Sequence, residues 1–195
     1  MIKAVIFDLN GVFILSPKLS DRFEKDFSIS SEIFLPALSE IMSKVRAPDA
    51  GLAFSYWKPF LAEWGVTFSE QEFWKYWFEA ESPSEDMIAL AKELKEKGLK
   101  VITLSNNFRE RAEYYGHYPW MKEIVEKTYF SFETGFVKPD PEAWKTVLSD
   151  FSLTTDEVVY FDDQEKNLEV ARKLGIDAFM FTTAQQAREV IEKRL

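Results

Sequence analysis

The sequence predicts an α/β fold: a parallel sheet covered by helices on both faces, with a small all-helical insert after the first strand. Three observations predict it. Short apolar runs lack polar alternation, as strands buried on both faces do, and each run is followed by a helical pattern. One stretch, Ser16 to Ser82, interrupts that alternation with helical patterns and no convincing strand.

The first run, Lys3 to Asp8, ends abruptly in a carboxylate, and Val101 to Ser105, Val158 to Asp162 and Ala178 to Thr182 repeat the pattern. Lys127 to Ser131 is a further candidate strand. Between them, Ser84 before Glu85-Asp86 and Gly98 bracket a helix whose apolar stripe is Met87, Leu90, Ala91 and Leu94. Asp140-Pro141 opens another, Glu165 to Leu174 forms a third that stops at Gly175, and a last helix follows Thr183. Residues 1–15 and 83–195 are thus assigned to the α/β core and 16–82 to the helical insert. Within the insert, Ser69 and Glu72 read as a capping box ahead of Phe73, Trp74, Trp77 and Phe78. The insert holds 14 of the chain's 31 aromatic residues. Their helical spacing assigns most of them to a core, with one or two of Phe54, Tyr56, Trp57 and Trp77 expected to reach a substrate.

Composition narrows the chemistry. A formal net charge of −9 disfavours a general nucleic-acid binder, which needs a clustered Lys/Arg surface. The absence of cysteine excludes thiol nucleophiles and thiolate metal sites. The first strand begins too early for a signal-peptide apolar region, and no run approaches the roughly 18 residues of a membrane span. The expectation is a soluble, cytoplasmic protein with no nucleic-acid or membrane partner, monomeric or homodimeric.

Parallel strands place their carboxyl ends on one rim, so Asp8, Ser105 with Asn106, and Asp162-Asp163 converge there. Lys138, in the loop Gly135-Phe136-Val137-Lys138-Pro139, can reach the same rim. Adjacent carboxylates repel unless a positive charge lies beside them. A hard divalent cation answers that, with Asp8, Asp162 and Asp163 as oxygen ligands of the kind Mg²⁺ takes. Taken singly, each part also reads as a cap, a turn or a surface lysine. Arg109, just past the Ser105 strand end, is a candidate substrate contact, while His117 lies in a loop-like segment outside these groups.

In this order the residues resemble the haloacid dehalogenase superfamily of aspartyl-nucleophile hydrolases, whose core is Rossmann-like. Phe7-Asp8-Leu9-Asn10-Gly11-Val12 is similar to the family's first motif, Leu104-Ser105-Asn106 to its second, Lys138-Pro139-Asp140-Pro141 to its third and Phe161-Asp162-Asp163 to its fourth. The insert matches the helical cap of one large subfamily. Ser105-Asn106-Asn107-Phe108 and Asp162-Asp163 with Asn167 resemble the small sugar-phosphate phosphatases and the N-terminal phosphatase domain of soluble epoxide hydrolase.

The resemblance implies hydrolysis of a small phosphorylated metabolite through an aspartyl phosphate on Asp8. It implies Mg²⁺ held by Asp8, Asp163 and the backbone carbonyl of Asn10, with Asp162 a direct or water-mediated ligand. Ser105 and Asn106 would bind phosphoryl oxygens, and Lys138 would neutralise charge on the nucleophile and the transferred group. A dehalogenase works without metal and does not need the paired acids, so Asp162-Asp163 favours the phosphatase. Asn10 departs from the pattern: family phosphatases carry Asp there, which protonates the leaving alcohol and then activates water. Four readings follow: a slow hydrolase, an enzyme for good leaving groups, a catalytically silent phosphometabolite binder, or a laboratory substitution. A persistent aspartyl phosphate would make the chain a phospho-switch.

Overall fold

The computed structural model describes residues 1–195 and contains a five-stranded, all-parallel sheet. Its strands are β1 (Ala4–Phe7), β4 (Lys100–Ser105), β5 (Lys127–Phe130), β6 (Val158–Asp162) and β7 (Asp177–Met180). They lie in the order β5-β4-β1-β6-β7, so β1 is central and pairs with β4 and β6.

Alternation along β1 explains the layering. Val5 and Phe7 face one way and pack with Val101, Val159 and Phe161 against helices α5 (Glu85–Glu96) and α11 (Ala184–Glu192). Ala4 and Ile6 face the other way, with Ile102, Leu104 and Tyr160, against α9 (Glu142–Asp150) and α10 (Glu165–Lys173). A helix on each face removes any exposed sheet surface, which is why the strands carry no polar alternation.

The expected strands and helices are present with small shifts. The last strand starts at Asp177 and ends at Met180, one residue earlier than its sequence signal begins and two residues before that signal ends. Thr183 caps α11 by accepting the Gln186 N–H. Asp140 accepts the Glu142 N–H from outside α9, because Pro141 occupies the cap position itself.

Four helices follow the first strand: α1 (Leu19–Phe27), α2 (Ser31–Val45), α3 (Ala53–Glu63) and α4 (Glu70–Phe78). The Ser69/Glu72 capping box opens α4, with Ser69 N–H donating to Glu72 at 2.8 Å. One feature escaped the sequence: β2 (Ile14–Leu15) and β3 (Ser82–Pro83) pair antiparallel where the chain enters and leaves the helices. Two residues are too few for a periodic signal.

The insert's rings form their own cluster. Trp57 stacks on Phe34 at 5.5 Å and meets Phe73 at 5.2 Å, and both Trp57 and Trp77 are buried. The aromatic residues therefore build a core, and none of Phe54, Tyr56, Trp57 and Trp77 lines the site cavity described below. Phe108, just past β4, is also buried and inserts its ring among Trp74, Trp77 and Phe78, 5.5 Å from Trp77. It joins the insert to the end of a core strand.

Removing that ring leaves a void on both sides of the junction. Phe108→Ala is expected to lower unfolding free energy by about 3–5 kcal/mol, measured by denaturant titration, and to speed proteolysis within residues 16–82.

Candidate active site

Asp8 leaves β1 with its backbone N–H still bonded to Phe161 O at 2.8 Å, so the strand itself fixes its position. Its Oδ1 accepts the Leu9 N–H at 2.7 Å and lies 3.1 Å from Lys138 Nζ. Neither bond uses Oδ2. Lys138 also reaches Asp162 Oδ2 at 2.7 Å, and its buried ammonium thus bridges two strand ends.

The loop that delivers Lys138 is fixed through backbone groups. Asn106 Nδ2 donates to Lys138 O and Asn106 Oδ1 accepts Lys138 N–H, both at 2.7 Å. The Asn106 side chain is therefore a clamp on this loop.

Asp162 is wholly buried and surrounded by donors. Its oxygens accept from Lys138, the Tyr160 hydroxyl, the Gln164 N–H at 2.8 Å and Asn167 Nδ2 at 3.0 Å. These bonds occupy the carboxylate with protein donors and hold Lys138 in place. Asp163 instead faces the cavity. Its carboxylate comes so close to Gly11 that any Cβ there would collide with it, and Gly11 also adopts φ +83°.

Carboxylate oxygens of Asp8, Asp162 and Asp163 lie within 4.8 Å of one another, with one lysine among them. Burial, reinforced by the Asp162 charge and opposed by Lys138, pushes the Asp8 carboxyl up to about 6. Burial and Asp162 likewise raise Asp163. An all-oxygen donor set with surplus negative charge fits a hard divalent cation, which Asp8, Asp162 and Asp163 could hold.

Asn10 is held by its amide. Oδ1 accepts from Asn107 Nδ2 at 3.2 Å, with Ser105 Oγ at 3.5 Å, and Nδ2 donates to the Tyr115 hydroxyl at 2.7 Å. Tyr115 in turn donates to buried Glu81 at 2.6 Å. Burial and the Glu81 charge keep the phenol well above its ordinary value, so it retains its single proton. Glu81 also pairs with Arg111 and accepts from Ser16 at 2.9 Å. Since the Tyr115 proton is given to Glu81, the group facing Tyr115 must donate, and the amide at position 10 does so.

A cavity of about 1130 Å³ lies between this rim and α2. Asp8, Asn10, Ser105, Asn106, Lys138 and Asp163 all line it. Arg109 does not: its guanidinium lies over the Phe132 ring, 5.4 Å from the centroid. Arg111 lines the cavity instead, because two residues along a helix turn a side chain to the opposite side. His117 contacts Tyr114 O and is also outside the cavity. Sequence reasoning missed Arg46, Glu81, Asn107, Arg111 and Tyr115. Asn107 stood beside the Ser105 signal, whereas the others come together only through the fold.

Comparisons with known proteins identify the family. The family model described as haloacid dehalogenase-like hydrolase matches residues 2–175. Bifunctional epoxide hydrolase 2 of Sus scrofa is 26% identical over 217 residues, which take in 98% of this chain but 38% of that protein. The chain thus spans well under half the length of that relative. D-ribitol-5-phosphate phosphatase of Bacteroides thetaiotaomicron is 27% identical over 59 residues, 30% of this chain and 29% of that protein. A HAD family enzyme of Bacteroides thetaiotaomicron, solved in complex with magnesium and inorganic phosphate, superposes with a TM-score of 0.78 at 24% identity, over 93% of this chain and 95% of that one. With the family model spanning most of its length and the acid cluster on the expected strand ends, the chain belongs to the haloacid dehalogenase-like hydrolases.

Proposed function

We propose that the chain is a Mg²⁺-dependent phosphomonoester hydrolase that works through a phosphorylated Asp8. The supporting observation is the buried Lys138 bridge, which engages Asp8 Oδ1 and leaves Oδ2 for attack beside a cavity rimmed by Ser105 and Asp163. Magnesium, a ligand in the related crystal structure, would supply charge stabilisation at the phosphoryl oxygens and offset the surplus carboxylate charge.

The chain's own groups divide the remaining work. Asp8 Oδ2 attacks phosphorus, the Asp8–phosphorus bond forms and the bond to the leaving oxygen breaks. Lys138 and the Ser105 hydroxyl stabilise charge on the transferred group. Water then attacks phosphorus, releasing inorganic phosphate and restoring the carboxylate. Asn10 neither gives the leaving oxygen a proton nor takes one from water. Phosphate esters with good leaving groups are therefore the favoured substrates, and hydrolysis of the phosphoenzyme is slow.

That slow step also supports a second reading, a phospho-switch in which modified Asp8 persists. Mixing the protein with Mg²⁺ and an aryl phosphate is expected to give phosphate release and a phosphoryl adduct on Asp8 by mass spectrometry, both lost in Asp8→Ala. Neither product nor adduct across a panel of small phosphorylated metabolites would refute both catalytic readings.

Asn10→Asp is expected to raise kcat for alkyl phosphates by about 10²–10⁴, with a smaller gain for aryl phosphates, and to shorten the adduct's lifetime. The same change sets two carboxylates competing for the single Tyr115 proton. It is expected to lower stability by about 1–3 kcal/mol, read by denaturant unfolding. Unaltered kinetics on both ester types would exclude residue 10 from proton transfer.

The Asp8 pKa carries a stability signature in chelator-treated protein. A carboxyl raised from 3.8 to about 6 favours folding when protonated, so its contribution is complete below about pH 4 and lost above about pH 6. Asp8→Asn is expected to remove about 1–3 kcal/mol of that pH-dependent loss. Thermal melts from pH 4 to 8 test it, and Mg²⁺ should raise the melting temperature at pH 7.5 in the unsubstituted protein but much less in Asp8→Asn.

A further inference from the structure

Four cationic side chains line the cavity: Arg46, Arg111, Lys138 and Lys166. Lys138 is held between Asp8 and Asp162, Arg111 is paired with Glu81, and Lys166 is exposed to solvent. Arg46 differs from all three. It takes part in none of the ion pairs, and its Nε is buried with no hydrogen-bond partner.

A partly desolvated guanidinium without an acceptor is costly, and the local field adds to that cost. Burial and then the neighbouring Arg111 charge disfavour its protonated form, and Asp8 is the acid that favours it. Arg46 ends α2, on the cavity wall that faces the rim carrying Asp8. The chain supplies this cation and no acid dedicated to it.

The helix that carries it is graded. Along α2, Leu35, Leu38, Ser39, Met42, Ser43 and Arg46 recur at three- and four-residue spacing and form its cavity-lining face. Leu35 is half exposed at one end, two hydroxyls follow, and the guanidinium closes the other end as the helix terminates. An apolar ligand would leave the Ser39 hydroxyl and Arg46 unmatched, whereas an oxyanion satisfies the guanidinium fork.

We propose that Arg46 binds a second oxyanion of the substrate, so that the preferred ligands are compact phosphomonoesters that also carry a carboxylate or a second phosphate. This assignment rests on the phosphatase reading and names its substrate class. The Ser39 hydroxyl lies on the same face and can donate to that group, whereas Ser43 Oγ already donates to Glu40 O at 2.7 Å.

The test compares kcat/KM for 2-phosphoglycolate and ethanediol bisphosphate with that for ethyl phosphate, which has the same two-carbon frame and no second anion. The expected preference for one or both bis-anionic esters is at least about tenfold, the scale of a single charge-assisted contact. The ranking of carboxylate against phosphate identifies the group. Arg46→Gln is expected to erase most of the preference, and Arg46→Lys to retain part of it. Absence of a preference in the unsubstituted protein, or equal losses on all three esters in Arg46→Gln, would overturn the proposal, the latter by placing Arg46 on the transferred phosphoryl group.

Binding keeps this test separate from catalysis. Calorimetry with phosphonoacetate and ethylphosphonate, on the unsubstituted protein and Arg46→Gln, should show a selective loss for phosphonoacetate even if no ester is turned over. That result would sustain the anion subsite while the phosphatase reading fails. Equal affinities for the two phosphonates in the unsubstituted protein, together with no preference for ethanediol bisphosphate, would end both the subsite and the substrate class drawn from it.

Discussion

The Lys138 ammonium, buried between Asp8 and Asp162, is the interaction on which the rest of the site depends. Two carboxylates at neighbouring strand ends repel, and β1 and β6 cannot separate without breaking the sheet. A single cation reconciles them, but only if it is held rigidly. Asn106 clamps the Lys138 backbone from both sides, and Tyr160 and Asn167 surround the Asp162 end. Removing one member of so buried a set leaves an uncompensated charge, so these residues form one structural unit. What remains outward is Asp8 Oδ2 and Asp163, the part of the cluster that faces the cavity.

Much of this was legible locally. An apolar run that ends in Asp or Ser signals a buried strand delivering a polar group to a rim, and Asp8, Ser105 and Asp162 all give that signal within a few residues. The division of labour within the acid pair was not legible. Adjacent residues on an extended chain point to opposite sides, and only the placement of Lys138 shows that Asp162 is its partner while Asp163 faces outward. Arg109 and Arg111 carry the same lesson on a helix: composition finds the basic turn, and helical phase decides which arginine enters the cavity. The insert's aromatic residues declared a core, but the ring of Phe108, contributed by the other part of the chain, could be assigned to it only in three dimensions.

The amide at position 10 also reads differently in place. As a sequence feature it is a missing proton donor; in the fold it completes a directed chain from Asn10 through Tyr115 to Glu81 and Arg111. Asn10 stands in a motif, but its partners at residues 81, 111 and 115 have no sequence signature, since each side chain alone is an ordinary surface or core candidate. Hydrogen-bond polarity links them. On the proposed reading, the missing acid would act on turnover, whereas the satisfied buried phenol acts on stability.

Pairing of Ile14–Leu15 with Ser82–Pro83 brings together the points at which the chain leaves the sheet layer and returns to it. The closure of this long excursion is thereby fixed by four residues, whatever lies between them, and loop-closure entropy grows only slowly with length. Helices can be extended, shortened or exchanged beyond the ribbon without moving the strand that carries Asp8. Arg46 and the α2 face lie on the exchangeable side, and the acid cluster with Lys138 lies on the fixed side. On the proposed reading, ligand choice and bond-breaking apparatus would be encoded in separate stretches of chain, free to diverge at different rates.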